Sequence, residues 1–244
     1  MARRRKRKKN LNKLLGVVFC FLLGYFIYYV HEEYVTLIEE NEVKENYTNL
    51  ENISEYSGEA YVYINDNVPN FSDEEKALES FEYYSPLDNL GRCGVAFASV
   101  SKDDTMPTEE RGSIGSIEPS GWHTVRYDIV SGKYLYNRCH LIGYQLTGEN
   151  ANAENLITCT RYMNATTMLQ FENEVAAYIE ETGNHVLYKV TPYFEGDNLV
   201  ATGVEMEAYS IEDNGEGISF NVFVYNVQPG IIIDYETGDS KLEE

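Results

Sequence analysis

One stretch of the chain gathers side chains able to do chemistry: Tyr136-Asn137-Arg138-Cys139-His140-Leu141-Ile142-Gly143. After a loop come Arg161-Tyr162-Met163-Asn164 and, eight residues further, Glu172. An imidazole titrates near neutrality and can take a proton from water. A guanidinium fork fits oxyanions, and hard divalent cations prefer oxygen ligands. Each side chain also has a plain structural reading. A histidine closing a strand can be a satisfied polar residue, Asn164 a helix N-cap, Glu172 solvated helix surface, and Arg138 and Arg92 ordinary surface charges. His123 and His185 have no comparable surroundings and read as structural. Thiol and zinc chemistry find little support. There is no Cys-x-x-Cys pair, no histidine stands at ligand spacing from Cys93 or Cys159, and adjacent Cys139-His140 suits neither on its own.

The elements that must position these side chains are legible from periodicity. Tyr61-Val62-Tyr63-Ile64 alternates as a strand and stops at Asn65-Asp66-Asn67. Ser72 heads a helix start. Gly94–Val100 and Trp122–Ile129 read as strands, and Tyr134–Ile142, after the turn Ser131-Gly132-Lys133, as the hairpin partner of the latter. The loop Thr147–Asn155 leads to Leu156-Ile157. From Asn164 to Glu181 the period becomes helical, with Met168, Phe171, Val175, Tyr178 and Ile179 on one face and Gly183 as the terminator. In such a helix Glu172 lies a little over two turns beyond Asn164 and about 80° around. Three strands follow: His185–Tyr193, Leu199–Tyr209 and Ile218–Val227. Strands, one long helix, then strands predict an α+β domain on an antiparallel sheet.

Charge divides the chain sharply. Residues 1–30 carry eight basic side chains and no acid. That leaves eleven of the nineteen basic residues and all forty acids for the remainder, a net of −29. Such a surface repels anions at long range, so an anionic substrate needs a local positive site. Leu14–Val30 is uncharged over seventeen residues, with tyrosines at its far end and acids beyond. It reads as a single transmembrane helix with the N-terminus in the cytoplasm. No small-x-small cleavage site follows, which favours an anchor over a removed signal peptide. The expected organisation is a basic head (1–13), a transmembrane anchor (14–30), an acidic stalk (31–58) and one folded domain (59–244). Cys20 falls in the apolar span. Cys139 and Cys159 flank the chemical stretch, and a bond between them is open in an oxidising exterior.

The stretch Asn137-Arg138-Cys139-His140, with Asn164 downstream, resembles the Asp-Arg-Gly-His motif and helix asparagine of the DNA/RNA non-specific endonucleases of the ββα-metal class. It is nearest to bacterial membrane-anchored DNA-entry nucleases and streptodornase-type enzymes. The resemblance runs from about Ala60 to Asp239 and includes Gly91-Arg92-Cys93-Gly94 and Asn226-Val227-Gln228-Pro229-Gly230. It implies a ββα-metal motif within the sheet domain and a metal-dependent, sequence-non-specific hydrolysis of DNA, with RNA as a further substrate. It makes His140 the general base and the side-chain oxygen of Asn164 the ligand of a divalent cation, Mg²⁺ with Mn²⁺ or Ca²⁺ as alternatives. Glu172 holds the water around that ion, and Arg138 and Arg92 hold phosphate oxygens. The implied place of work is the bacterial cell membrane, single-pass, with the C-terminal domain outside and nucleic acid as partner.

Three positions depart from the family pattern. Asn137 stands where Asp is usual and Cys139 where Gly is usual, and Ala176 takes the place of an arginine that some relatives carry one turn after the Glu. They keep a rival in view: an inactive surface-anchored binding module on the same fold. A nuclease delivered as a toxin is a further alternative, which the anchor disfavours.

Overall fold

The structure, a computed structural model, describes residues 53–77 and 80–243. The expected head, anchor and most of the stalk lie outside the described residues. Ten strands and three α-helices follow in order: β1 (Tyr61–Tyr63), α1 (Asp73–Lys76), β2 (Phe81–Tyr84), β3 (Ala96–Val100), β4 (Tyr136–His140), α2 (Tyr144–Thr147), β5 (Leu156–Thr160), α3 (Leu169–Thr182), β6 (Val186–Tyr193), β7 (Gly203–Ser210), β8 (Ser219–Tyr225), β9 (Ile231–Ile233) and β10 (Ser240–Leu242).

Six strands form one antiparallel sheet in the order β1-β8-β7-β6-β3-β2. Alternation along each strand sends Ala98, Tyr188, Val190, Met206 and Val222 to one face. There they close a core with Phe171, Val175 and Ile179 of α3. The opposite face carries the row Lys189, Glu207 and Asn221 across β6, β7 and β8. Lys189 Nζ meets Glu207 Oε2 at 2.8 Å under Phe71, which stacks on Phe97. The helix side therefore takes the apolar burial, and the site elements are built there. β4 and β5 form a separate two-stranded ladder that leads directly into the helical segment before α3.

The antiparallel sheet and the single long helix agree with the sequence, and several boundaries differ for physical reasons. The expected strand Trp122–Ile129 is reduced to one bridge, Arg126 to Tyr134. Trp122, Val125 and Tyr127 instead pack as side chains on Val130, Leu135, Tyr136 and Ile231. β4 takes β5 as its ladder partner, from Tyr136 opposite Thr160 to His140 opposite Leu156. The strand expected from Leu199 begins at Gly203, because Leu199 and Val200 give their N–H groups to the carbonyls of Glu236 and Tyr235. Ser72 caps α1 as expected, accepting from the Glu75 N–H while the Glu75 carboxylate accepts from Ser72 N–H. Gly183 ends α3 with φ 73° and its N–H on the Ile179 carbonyl.

The helix start holds a further correction. The backbone is helical from Arg161, and Met163–Met168 form a π-helical turn before α3. Each residue of that wide turn rotates the chain by less than an α-helical step. The angular offset between Asn164 and Glu172 is therefore not the 80° of an ideal helix.

Candidate active site

His140 closes β4 with Arg138 two residues before it, so both side chains leave the same face of the ladder. Asn137 and Cys139 leave the other face, toward the core. Cys139 is bonded to Cys159 of β5, with Cα atoms 5.8 Å apart across 20 residues of sequence, and both are fully buried. The bond left open by the sequence is thus made directly behind the histidine. Cys93 is the free cysteine of the domain. Its thiol donates to the carbonyls of Ala153 and Leu156 at 3.2 Å, and burial pushes it up to about 12.

The turn after His140 is fixed by Asn155. This fully buried side chain accepts from the Ile142 N–H at 2.9 Å and donates to the Ile142 carbonyl at 3.0 Å. The arrangement returns the chain to the ladder and brings Asn150 against the imidazole. His140 Nε2 lies 2.8 Å from the Asn150 carbonyl, and Nδ1 lies 3.2 Å from an Arg111 guanidinium nitrogen. A carbonyl only accepts and a guanidinium only donates. Nε2 therefore carries the proton, and Nδ1 presents a lone pair. Burial is the main cause holding this imidazole below its ordinary pKa. The Arg111 charge acts the same way, against the Asn150 carbonyl, which favours the charged ring. His140 is a neutral imidazole held at both ring nitrogens.

Glu172 is buried on the first turn of α3. It accepts from the Gly143 N–H, and desolvation pushes it up to about 7 despite that bond and the Arg111 charge, which both lower it. A Cβ added to Gly143 would stand 2.8 Å from Glu172 Cδ and from both carboxylate oxygens. Glycine is needed here for space, since its φ of −59° is open to any residue. The loop carrying Arg111 is held over this pair: the Tyr144 hydroxyl donates to the Glu109 carbonyl at 2.9 Å, and Gly112 passes so closely that a Cβ would meet Asn150 Nδ2 at 2.8 Å.

The remaining sequence candidates are placed as follows. The Arg138 guanidinium lies 3.9 Å over the Trp122 ring, with Nε donating to the Ile117 carbonyl. Asn164 is half-buried in the π-turn, and its side chain makes no hydrogen bond to another described residue. It does not cap the helix: Thr160 Oγ1 accepts from the Met163 N–H at 3.0 Å and does that work. Arg92 stands apart. It binds Asp88 at 2.7 Å and the carbonyls of Gly196 and Asn198, over the Phe194 ring, and touches none of the other candidates. The structure thus pairs His140 with Arg111, whose charge also acts on Glu172, and sets Arg138 on the histidine's face and Asn164 on the helical segment of Glu172. Arg111 was missed in the sequence. It sits in an acidic loop without a motif, and the scarcity of basic residues outside the N-terminal head was the one signal available.

The profile of the DNA/RNA non-specific endonucleases matches residues 69–212, more than half of the chain. The protein belongs to that family. The endonuclease is similar in fold to the crystal structure of NucA from Streptococcus agalactiae with magnesium bound: 23% identity, TM-score 0.69, covering 82% of this chain and 97% of that one. It is also similar to the Sda1 nuclease with bound zinc, at 25% identity and TM-score 0.60, over 76% of this chain and 96% of that one. The family and these neighbours make the chain a hydrolase acting on nucleic acid.

The residues of this endonuclease do not form a closed metal cage: among the described residues no three His, Cys, Asp or Glu side chains converge for one. What they offer is an uncommitted amide oxygen on Asn164 and a buried carboxylate on Glu172. That set fits a hard cation held by few protein oxygens and otherwise by water.

Proposed function

We propose that the endonuclease hydrolyses phosphodiester bonds of DNA, with RNA as a second substrate, by a metal-dependent reaction whose general base is His140. The observation that carries this reading is the neutral imidazole whose Nε2–H is tied to the Asn150 carbonyl, which makes Nδ1, here accepting from Arg111, the basic nitrogen of the ring. Phosphodiester hydrolysis needs a deprotonated water, relief of charge on the phosphate oxygens and help for the leaving oxygen. Nδ1 takes the proton of the attacking water, and the Asn150 carbonyl steadies the imidazolium that forms. A divalent cation, Mg²⁺ first with Mn²⁺ and Ca²⁺ as alternatives, supplies charge relief and acidity toward the leaving oxygen when bound. Asn164 would hold that cation through its side-chain oxygen, and Glu172 would order the water around it. Arg138, stacked on Trp122, presents a pre-set charge to the phosphate, whereas Arg92, held by Asp88, Gly196 and Asn198 away from the other candidates, is left out of the reaction. All of these contacts read phosphate rather than bases, so sequence preference is low.

The basic head and apolar span, with the Cys139–Cys159 bond, support work outside the cytoplasm on a single-pass anchor in a bacterial membrane. The test is nicking of supercoiled plasmid by the full-length chain in Mg²⁺, in EDTA, and as His140→Ala and Asn164→Ala. Metal-dependent nicking that falls at least about 10²-fold in each variant is expected. A folded wild type silent with Mg²⁺, Mn²⁺ and Ca²⁺ would turn the reading to a binding module.

A further inference from the structure

His140 uses both ring nitrogens in this structure, and that sets a requirement. Nδ1 is filled by an Arg111 N–H at 3.2 Å, and a lone pair so occupied cannot take a proton from water. Catalysis by this nitrogen requires Arg111 to leave it. We propose that Arg111 is a positioning residue for the base: its guanidinium holds Nδ1 of His140 in the substrate-free site and passes to the phosphate of the incoming strand, releasing the lone pair. The inference rests on the nuclease reading above and adds to it an exchange that couples substrate arrival to activation of the base.

Three observations carry it. The first is how Arg111 is held. Arg138 and Arg92 are committed to carbonyls and aromatic rings, whereas the one hydrogen bond of the Arg111 guanidinium is to a neutral nitrogen. A charged fork gains more from a phosphate, which accepts two parallel bonds. The second is place. Arg111 is exposed, on a loop tied to the body beside it by Tyr144 on the Glu109 carbonyl, so the side chain can swing without the loop unfolding. The third is charge. Arg111 acts on both Glu172 and His140, so its departure toward phosphate removes a cation that opposes the imidazolium. The base is kept neutral before substrate binds and becomes more basic once it does. The groups facing the imidazole are Arg111 from its loop and the Asn150 carbonyl after α2.

The test uses the full-length chain in mild detergent, labelled with ¹⁵N-histidine, without metal and without DNA. Of the four histidines, His140 is assigned by the signal lost in His140→Ala. In Arg111→Ala the His140 titration midpoint is expected to rise by about one pH unit, with Arg111→Lys between it and wild type and the melting temperature unchanged. A short oligonucleotide added in EDTA is expected to move the wild-type Nδ1 resonance toward its position in Arg111→Ala. With Mg²⁺, the acid limb of kcat/KM against pH should shift upward in Arg111→Ala, so that activity drops more at pH 6 than at pH 8. An unmoved titration midpoint, an Nδ1 signal unchanged by bound oligonucleotide, or a loss of activity equal at every pH would each overturn the proposal. If the wild type cleaves nothing, the nuclease reading fails by itself, while the two resonance measurements still decide the exchange.

Discussion

Burying the Glu172 carboxylate has a cost that the endonuclease offsets with one backbone N–H, that of Gly143. Glu172 stands near 7 in the folded chain, against 4.5 for an ordinary carboxylate. Between those values the folded state binds more protons than the unfolded one, so stability falls as pH rises through that window. Glu172→Gln keeps an acceptor for Gly143 and cannot ionise. It is expected to stabilise the metal-free protein at pH 8 by up to roughly 3 kcal/mol, to give almost no gain at pH 4, below the unfolded value, and to lower nicking. Thermal melts in EDTA at the two pH values check the sign. Gly143→Ala is expected to displace the same carboxylate, destabilising the fold by about 1–3 kcal/mol and cutting activity, read by melting and plasmid nicking. His140, Asn164 and Glu172 stand out in the sequence as candidates because the family motif and its downstream helix positions mark them. Arg111 was not, since only the fold brings residue 111 to residue 140. Gly143 carried no signal either, its role being to leave room for a carboxylate 29 positions away.

At the level of elements, the site depends on how β4, β5 and the helix start are joined. The Cys139–Cys159 bond ties the strand ending in His140 to the strand that leads into Asn164. Closing a loop of this length contributes about 3 kcal/mol. Replacing both cysteines by Ala is expected to lower Tm by roughly 6–12 °C and to reduce nicking more than binding, seen by calorimetry and by the split of kcat from KM. Thr160 caps the helix and thereby leaves the Asn164 amide free, a division of labour that the sequence did not disclose, because both residues are good caps. The long helix and the central strands were readable from apolar period. The Trp122–Ile129 segment was misread as a strand because its alternating apolar residues serve a side-chain cluster with Ile231 instead of a ladder. The edge strand β2, Phe-Glu-Tyr-Tyr, lacks the alternation that would have shown it.

For the whole molecule, charge is the governing quantity. With a net of −29 beyond the N-terminal head, the surface opposes nucleic acid except where Arg111, Arg138 and the proposed cation would concentrate positive charge. Few phosphate contacts imply few counterions released, so DNA binding is expected to weaken only shallowly with salt. A slope of log affinity against log salt as steep as that of six or more phosphate contacts would contradict this. Beyond charge stands chemistry, in which His140 is proposed to supply the base of a metal-dependent cleavage. The most direct measurement is plasmid nicking in Mg²⁺ by the wild type and by His140→Gly, with and without added imidazole. Cleavage by the wild type, silence in the variant, and recovery when free imidazole fills the space left by the side chain are expected. Wild-type rates in His140→Gly without imidazole would contradict that role.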